Sequence, residues 1–294
     1  TYTQAFHQRA NCFFEQKDYK NAISDYTKVV SLDPSEDKAF ISRGIAHGNI
    51  KELKKAIADY TSAVKINPES ILAYNYRGLI YNALKDHEKA IEDFSQVIRL
   101  NPGLADAYNN RGISHFSLKN YTKAINDYDR AVELNPNSGN VYFNRGNAYY
   151  NLRHYLEAVK NYDLAIELDP KLALAAFARG NANLNLANNK EAIKDFTAAL
   201  TINPKFVQAF IGRANVFMKM KYYYKALEDY TSAITINPTH AQLYINRGIA
   251  FRSDGKMKEA LSDFNEYLKI SNRNDPMSNK VRMWIKKMGY IPDY

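Results

Sequence analysis

The chain has 294 residues, of which 46% are apolar and 24% charged, a composition typical of a folded rather than a disordered protein. Its formal net charge of +9 would suit an acidic partner, but lysine and arginine are interspersed with aspartate and glutamate throughout, which favours a solvated surface over a nucleic-acid site. No apolar run is long enough to predict a membrane span, and the single cysteine, Cys12, excludes an internal disulfide and indicates a reducing compartment, the cytoplasm or the nucleus.

Four series of residues recur every 34 residues along the chain. A proline closes each of the first seven periods, beginning with Pro34, and Asn272 takes its place in the eighth. In the same register recur an arginine, usually followed by glycine, then an alanine, and four residues later a tyrosine or phenylalanine; these series begin at Arg9, Ala22 and Tyr26. Internal periods of this length indicate a repeat architecture. The predicted units, without insertion or deletion, are residues 3–36, 37–70, 71–104, 105–138, 139–172, 173–206, 207–240 and 241–274.

Each unit predicts two helices. Apolar residues follow helical spacing in two blocks, for example Tyr142 to Leu152 and Ala158 to Leu168, with polar turn residues between them. The closing proline ends the second helix because it has no backbone N–H and disfavours a helical residue before it. The predicted fold class is therefore all-α, with eight helical hairpins in tandem.

Small residues predict how the helices of one hairpin meet. A glycine such as Gly112 on the first helix and an alanine such as Ala124 on the second let the two backbones approach, and the recurring aromatic fills the space between them. Glycine inside a helix costs about 1 kcal/mol, which this packing must return. The pattern resembles the tetratricopeptide repeat over residues 3–274. The resemblance implies a right-handed α-α superhelix, or solenoid, whose first helices line a concave groove. The sixth unit departs from the pattern at Ala176 and Asn183, so we expect it to be the most loosely packed.

The arginine series predicts ion pairs rather than a ligand-binding row. An aspartate precedes the recurring aromatic in seven units, as Asp127 does, and the exception is Asn161. Arginine is rarely buried at a helix interface without a partner, and an acid in the same register supplies one. We therefore expect these side chains to link the helices.

The last segment, residues 275–294, is predicted to be a capping helix and tail. Asp275 and Pro276 introduce residues 277–288, in which Val281, Trp284 and Ile285 form an apolar stripe. A solenoid requires a cap over its last exposed core face. The chain starts at Thr1 rather than methionine, which predicts that it belongs to a longer protein.

Motifs for chemistry are not found in the sequence. The six histidines show no metal-ligand spacing with one another or with Cys12, and no phosphate-binding glycine loop or nucleophile motif occurs. We therefore predict no catalytic, metal-binding or cofactor-binding residues and no enzyme activity in this chain.

Asparagines on the first helices are the candidate site. The spacing of three or four residues places those of one helix on one face, and an amide can both donate to and accept from a peptide backbone. The row resembles the asparagine ladder in the tetratricopeptide arm of O-linked GlcNAc transferase. The alternative is a merely solvated face, because the whole chain is rich in asparagine, with 31 residues. The predicted groove residues are Asn110, Asn144, Asn147, Asn151, Asn181, Asn185, Asn215 and Asn246.

These features predict a non-enzymatic scaffold that holds an extended segment of a protein partner in the groove. Two alternatives stay open: the substrate-recognition arm of a larger enzyme, and the less favoured binding of RNA or an anionic ligand by basic residues such as Lys280 and Lys287. Co-chaperone members of the family hold a carboxylate with a lysine two residues before the arginine position, and that lysine is missing here. No membrane partner is expected, and a homodimer is left open.

Overall fold

The computed structural model describes residues 2–271 and 275–291, and this part of the chain contains α-helices and no β-strand. The all-α prediction is confirmed. The helices are α1 (Tyr2–Glu15), α2 (Tyr19–Leu32), α3 (Asp37–Asn49), α4 (Leu53–Ile66), α5 (Ile71–Ala83), α6 (His87–Leu100), α7 (Ala105–Ser117), α8 (Tyr121–Leu134), α9 (Gly139–Asn151), α10 (Tyr155–Leu168), α11 (Ala173–Asn185), α12 (Asn189–Ile202), α13 (Val207–Lys219), α14 (Tyr223–Ile236), α15 (Ala241–Ser253), α16 (Met257–Ile270) and α17 (Pro276–Lys287).

The helices α1 to α16 form hairpins, and we call the first helix of each hairpin its A helix and the second its B helix. Contacts divide the chain into two units, Thr1–Ala148 and Tyr149–Tyr294, with the boundary inside α9. Within each unit the B helix of a hairpin packs on the A helix of the next hairpin, and A helices of successive hairpins also touch. Each unit is therefore a tandem array in which a hairpin contacts only its neighbours, as in α-solenoids.

The turn inside each hairpin is a Schellman motif that ends the A helix. In the first hairpin the N–H of Asp18 donates to the carbonyl of Phe13, and the N–H of Lys17 donates to that of Phe14. Lys17 has a left-handed backbone, with φ of 61°, and the equivalent residue is again non-glycine in the next six hairpins. Only the eighth hairpin places a glycine there, Gly255, with φ of 79°.

The predicted fit between small and large residues is confirmed. A Cβ atom built on Gly112 would lie 2.6 Å from Cε1 of Tyr128, and one on Gly44 would lie 2.7 Å from the same atom of Tyr60. Unbonded carbons prefer about 3.5–4.0 Å, so the ring lies closer to these positions than an added side chain would allow without a shift. The aromatic rings are almost completely buried.

The expectation that the sixth hairpin is loosely packed is wrong. Helices α11 and α12 contact each other as extensively as the two helices of any other hairpin that lies wholly within one unit. Asn183 is buried and its Nδ2 donates to Oδ2 of Asp195 at 2.9 Å, so the amide is satisfied. Phe177 contacts both Phe196 and Phe206 and fills the space that small neighbours leave.

The predicted arginine–aspartate pairs are present, and each arginine after the first also reaches the preceding hairpin. Nε and Nη2 of Arg77 donate to the two oxygens of Asp93, at 2.9 and 2.7 Å, and Nη1 donates to Oγ1 of Thr61 on the previous B helix at 3.1 Å. The arginine thus ties two hairpins together. In the fifth hairpin, where Asn161 replaces the aspartate, Asp129 of the preceding hairpin pairs with Arg145 at 2.7 Å.

Helix α17 covers the apolar face of the last hairpin. Val281 and Ile285 are completely buried in a cluster with Phe264 of α16. The ring of Trp284 lies 5.7 Å from that of Phe264, and its face also meets the guanidinium of Arg252 at 5.2 Å. The predicted tail after this helix extends into residues 292–294, which lie outside the described residues.

Candidate functional site

Neither a membrane-spanning helix nor a metal site emerges from the described residues. None of their helices combines the length and the apolarity needed to cross a bilayer. No cluster of three or more histidine, cysteine, aspartate or glutamate side chains suited to a metal ion occurs among them. The remaining candidate for a site is the surface formed by the A helices of each unit.

The eight predicted asparagines lie on A helices, and none of them is buried. Asn151, Asn185 and Asn215 are exposed and the other five are half-buried. We call the set the amide row: Asn110 on α7; Asn144, Asn147 and Asn151 on α9; Asn181 and Asn185 on α11; Asn215 on α13; and Asn246 on α15. Each of the two units contains a segment of this row.

Some amides of the row use their donor group inside the chain. Nδ2 of Asn144 donates to Oδ1 of Asn109 on the preceding A helix at 3.1 Å. Nδ2 of Asn185 donates to the hydroxyl of Tyr150 at 3.1 Å and to a backbone carbonyl one turn earlier at 2.9 Å. These bonds fix the amide orientation and leave Oδ1 as the group for an external donor.

Other amides of the row use their acceptor instead. Oδ1 of Asn215 accepts from the hydroxyl of Tyr230 at 2.6 Å, and Oδ1 of Asn246 accepts from Nε2 of Gln242 at 3.0 Å. Their Nδ2 groups are then left as donors for a partner. The side chain of Asn181 makes no hydrogen bond with the described residues. The row therefore offers both donors and acceptors, which is what a peptide backbone requires.

A pocket beside α7 and α9 includes two amides of the row. This α7–α9 pocket has a volume of about 80 Å³. Its lining residues are Ile113, Phe116, Tyr128, Asn144 and Asn147. Burial raises the pKa of Tyr128 above its ordinary value. The lining combines apolar side chains with two amides, and the size of the cavity suits a short apolar side chain.

A second pocket lies at the same register of the repeat, beside α1 and α3. This α1–α3 pocket has a volume of about 230 Å³. Its lining residues are Asn11, Phe14, Glu15, Tyr26, Ser42 and Ile45. The hydroxyl of Tyr26 donates to Oδ1 of Asn11 at 2.6 Å. Burial raises the pKa of Tyr26, a hydrogen bond with Ser42 opposes the rise, and the nearby charge of Glu15 adds to it.

Asn11 belongs with the row, although the predicted groove did not include it. Asn11 and Asn215 occupy the same position of their hairpins, and each accepts a hydrogen bond of 2.6 Å from the tyrosine fifteen residues later, Tyr26 or Tyr230. In both hairpins alanine replaces the glycine of the repeat, at Ala10 and Ala214. The combination of alanine, asparagine and tyrosine that the two hairpins share is the sequence feature that could have predicted Asn11 as a member of the row.

Family comparisons agree with the repeat. One model of the tetratricopeptide repeat matches residues 3–36, 71–104, 105–138 and 139–172. A second model of the same repeat matches residues 37–70, 173–206 and 207–240. A comparison with curated protein sequences finds no significant match.

Solved structures show the same fold at low sequence identity. The C-terminal part of a TPR repeat-containing protein from Cytophaga hutchinsonii is 17% identical with a TM-score of 0.69, and the match covers 82% of this chain and 98% of that one. YrrB, described as a TPR protein with an unusual peptide-binding site, is 21% identical with a TM-score of 0.57, over 67% of this chain and 100% of that one. MamA is 24% identical with a TM-score of 0.52, over 54% and 93%.

Proposed function

Because this chain belongs to the tetratricopeptide-repeat family, whose models match it from residue 3 to residue 240, we propose that it is a non-catalytic scaffold that binds an extended segment of a protein partner along the face of its A helices. The amide row carries the proposal. Asparagine is a poor helix former, and its side chain competes with the helix backbone for hydrogen bonds. Such residues at matching positions of the A helices within each unit are better explained by a binding role than by folding.

The hydrogen bonding of the row supports a peptide rather than a compact ligand. Bonds within the chain hold Asn144 and Asn215 in fixed orientations, one leaving an acceptor and the other a donor for the partner. Preorganised amides lose little side-chain entropy on binding, which lowers the cost of association. An extended backbone presents alternating N–H and C=O groups that match such a row.

The two pockets supply side-chain contacts that the amides alone lack. Each lies at the same register between two A helices and has an aromatic wall, formed by Phe14 and Tyr26 in one pocket and by Phe116 and Tyr128 in the other. Backbone hydrogen bonds do not distinguish one sequence from another, whereas pockets select side chains. The solved structure of YrrB, described as having a peptide-binding site, shows that a protein of this fold can bind a peptide.

The proposal is tested with peptides selected on the chain itself. A displayed library of random fourteen-residue peptides is selected on the parent chain, and the dissociation constants of enriched peptides are measured by fluorescence anisotropy. The double substitution Asn144→Ala and Asn147→Ala should weaken binding about thirtyfold, since each lost hydrogen bond contributes about 1 kcal/mol and 1.4 kcal/mol corresponds to a factor of ten.

A matched control removes two asparagines that lie off this face. Asn126 on the B helix α8 and Asn137 in the following loop are exposed, and replacing both by alanine should leave peptide affinity unchanged. Both variants are first compared with the parent by circular dichroism. A failure to enrich any peptide, or equal peptide affinity of the parent and the Asn144/Asn147 variant, would refute the proposal that the amide row binds a peptide.

A further inference from the structure

We propose that the α1–α3 pocket binds a lysine or arginine side chain of the segment that the A helices hold, an inference that rests on the proposed function and names one of its specificity sites. The α1–α3 pocket and the α7–α9 pocket differ in volume and in charge, the two properties that determine which side chain a pocket binds. The larger one, about 230 Å³, has a carboxylate among its lining residues, and the smaller one, about 80 Å³, has none.

The walls of the α1–α3 pocket suit a long aliphatic stem. Phe14 and Ile45 are half-buried and contribute apolar surface, and Tyr26 is the most deeply buried of the lining residues. Lysine and arginine bury their methylene stems against such surfaces while the charged end stays in contact with water or an acid. A short side chain would leave most of this volume unfilled.

Glu15 is the polar group of the pocket that can pair with a cation. Glu15 is exposed at the end of α1 and forms no ion pair with the described residues, although its charge reaches the phenol of Tyr26. Oδ1 of Asn11 already accepts from the hydroxyl of Tyr26, so this amide adds no negative charge to the pocket. An ammonium or guanidinium group that entered between Phe14 and Ile45 would meet the carboxylate of Glu15 without displacing an existing partner.

The net charge of the chain opposes the binding of basic peptides, so a preference for lysine or arginine would have to come from the pocket itself. The chain has a formal net charge of +9, so the field of the whole protein repels a basic peptide. A basic residue selected at one fixed position would therefore report the pocket rather than general electrostatic attraction. The opposite outcome, selection of acidic residues throughout, is what the net charge alone would produce.

The second pocket adds a spacing to the predicted ligand. The two pockets are three hairpins apart, so three steps between successive A helices separate them. Helices in contact lie about 8–10 Å apart, and three such steps amount to about 27 Å. An extended chain spans about 3.3 Å per residue, so about eight residues separate the two side chains. We expect a basic residue at one end of the bound segment and a short apolar residue about eight positions away.

The experiment is the same peptide selection, run in parallel on the parent, on Glu15→Gln and on Glu69→Gln. Glu69 is exposed in the loop before α5 and without an ion pair in the described chain, so it provides the same loss of charge away from the pocket. Parent and Glu69→Gln selections should enrich lysine or arginine at one position, and Glu15→Gln should lose that enrichment while still selecting peptides.

Matched peptides then quantify the effect. A selected peptide with lysine should bind the parent about three- to fivefold more tightly than the same peptide with norleucine, as expected of one partly exposed ion pair, and the difference should shrink at 0.5 M salt. For Glu15→Gln the two peptides should bind equally. Peptides enriched without a basic position, or a lysine preference that survives Glu15→Gln, would overturn this inference and leave the groove intact, whereas no enrichment of any peptide would overturn the proposed function itself.

Discussion

Replacing Gly112 by leucine tests the packing on which every hairpin depends. A Cβ atom at this position would lie 2.6 Å from Cε1, 2.9 Å from Cδ1 and 3.1 Å from Cζ of Tyr128. Unbonded carbons prefer about 3.5–4.0 Å, so the first added carbon already displaces the ring by about 1 Å. The other three carbons of leucine require further separation of α7 from α8.

The expected loss is about 3 kcal/mol of the free energy of unfolding. The side chain of Tyr128 is 1% exposed, so packed neighbours enclose its ring except where it borders the α7–α9 pocket. Adding carbons to a well-packed core costs about 1–3 kcal/mol, and a whole leucine side chain belongs at the upper end of that range or above it. The higher helix propensity of leucine returns less than about 1 kcal/mol.

Two control substitutions separate packing from helix propensity. Gly48 lies inside α3, and a Cβ built there meets nothing within 4 Å, so Gly48→Leu should leave stability unchanged or slightly raised. Gly112→Ala should change stability by less than about 1 kcal/mol, because propensity offsets a small ring shift. Ala10 and Ala214 occupy the equivalent position in two natural hairpins, which shows that a methyl group is accommodated.

The measurement combines thermal unfolding with amide hydrogen exchange, because repeat arrays need not unfold in one step. Gly112→Leu should melt at a lower temperature, with faster exchange concentrated in α7, α8 and the adjacent helices. Melting and exchange equal to those of the parent would refute the reasoning. So would an equal loss of stability in Gly48→Leu, since that position has open space around it.

Three further predictions concern the ion pairs, one histidine and the cap. Arg77→Leu should lower the free energy of unfolding in urea by about 3 kcal/mol because Asp93, which is buried, loses its partner; the double variant with Asp93→Leu should recover part of the loss, and equal losses would contradict the pairing. Burial lowers the pKa of His115 from 6.5, so the unfolded chain binds more protons than the folded chain at mildly acidic pH, and the free energy of unfolding should fall as the pH drops from 7 to 5. His115→Gln should make the free energy of unfolding less dependent on pH in this range. An unchanged pH dependence would exclude His115 as its source. Trp284→Ala should lower the free energy of unfolding by about 2 kcal/mol and speed amide hydrogen exchange in α16, because it removes a half-buried ring that packs against Phe264. Exchange identical to that of the parent would show that the cap does not depend on this ring.

The pattern of the sequence was sufficient for the hairpins themselves. Contacts inside a hairpin join residues at constant separations, so a period of 34 residues with glycine, alanine and an aromatic in phase predicted which side chains meet. The pairing of Arg111 with Asp127, sixteen residues later, followed from the same register and is present at 2.6 Å. The predicted cap also emerged from an apolar stripe of helical spacing, which α17 buries against Phe264.

The candidate site was predictable only in part. The positions of the amide row on the A helices followed from helical spacing, but the sequence could not tell that Asn144 donates to Asn109 or that Asn215 accepts from Tyr230. The looseness expected of the sixth hairpin was wrong because Asn183 finds Asp195 as a partner, a contact that residue types alone do not disclose. The unpaired state of Glu15 likewise required coordinates.

Arg111 shows where the information in the sequence ended. Asp127 lies sixteen residues after this arginine and Ser95 sixteen residues before it, and the guanidinium binds both, reaching the serine hydroxyl with Nη1 at 3.2 Å. The repeat determined the first contact because both residues belong to one hairpin, whose geometry is set by local helix packing. The second contact joins two hairpins, and only the tertiary structure decides how closely one hairpin lies against the next and which side chains cross between them.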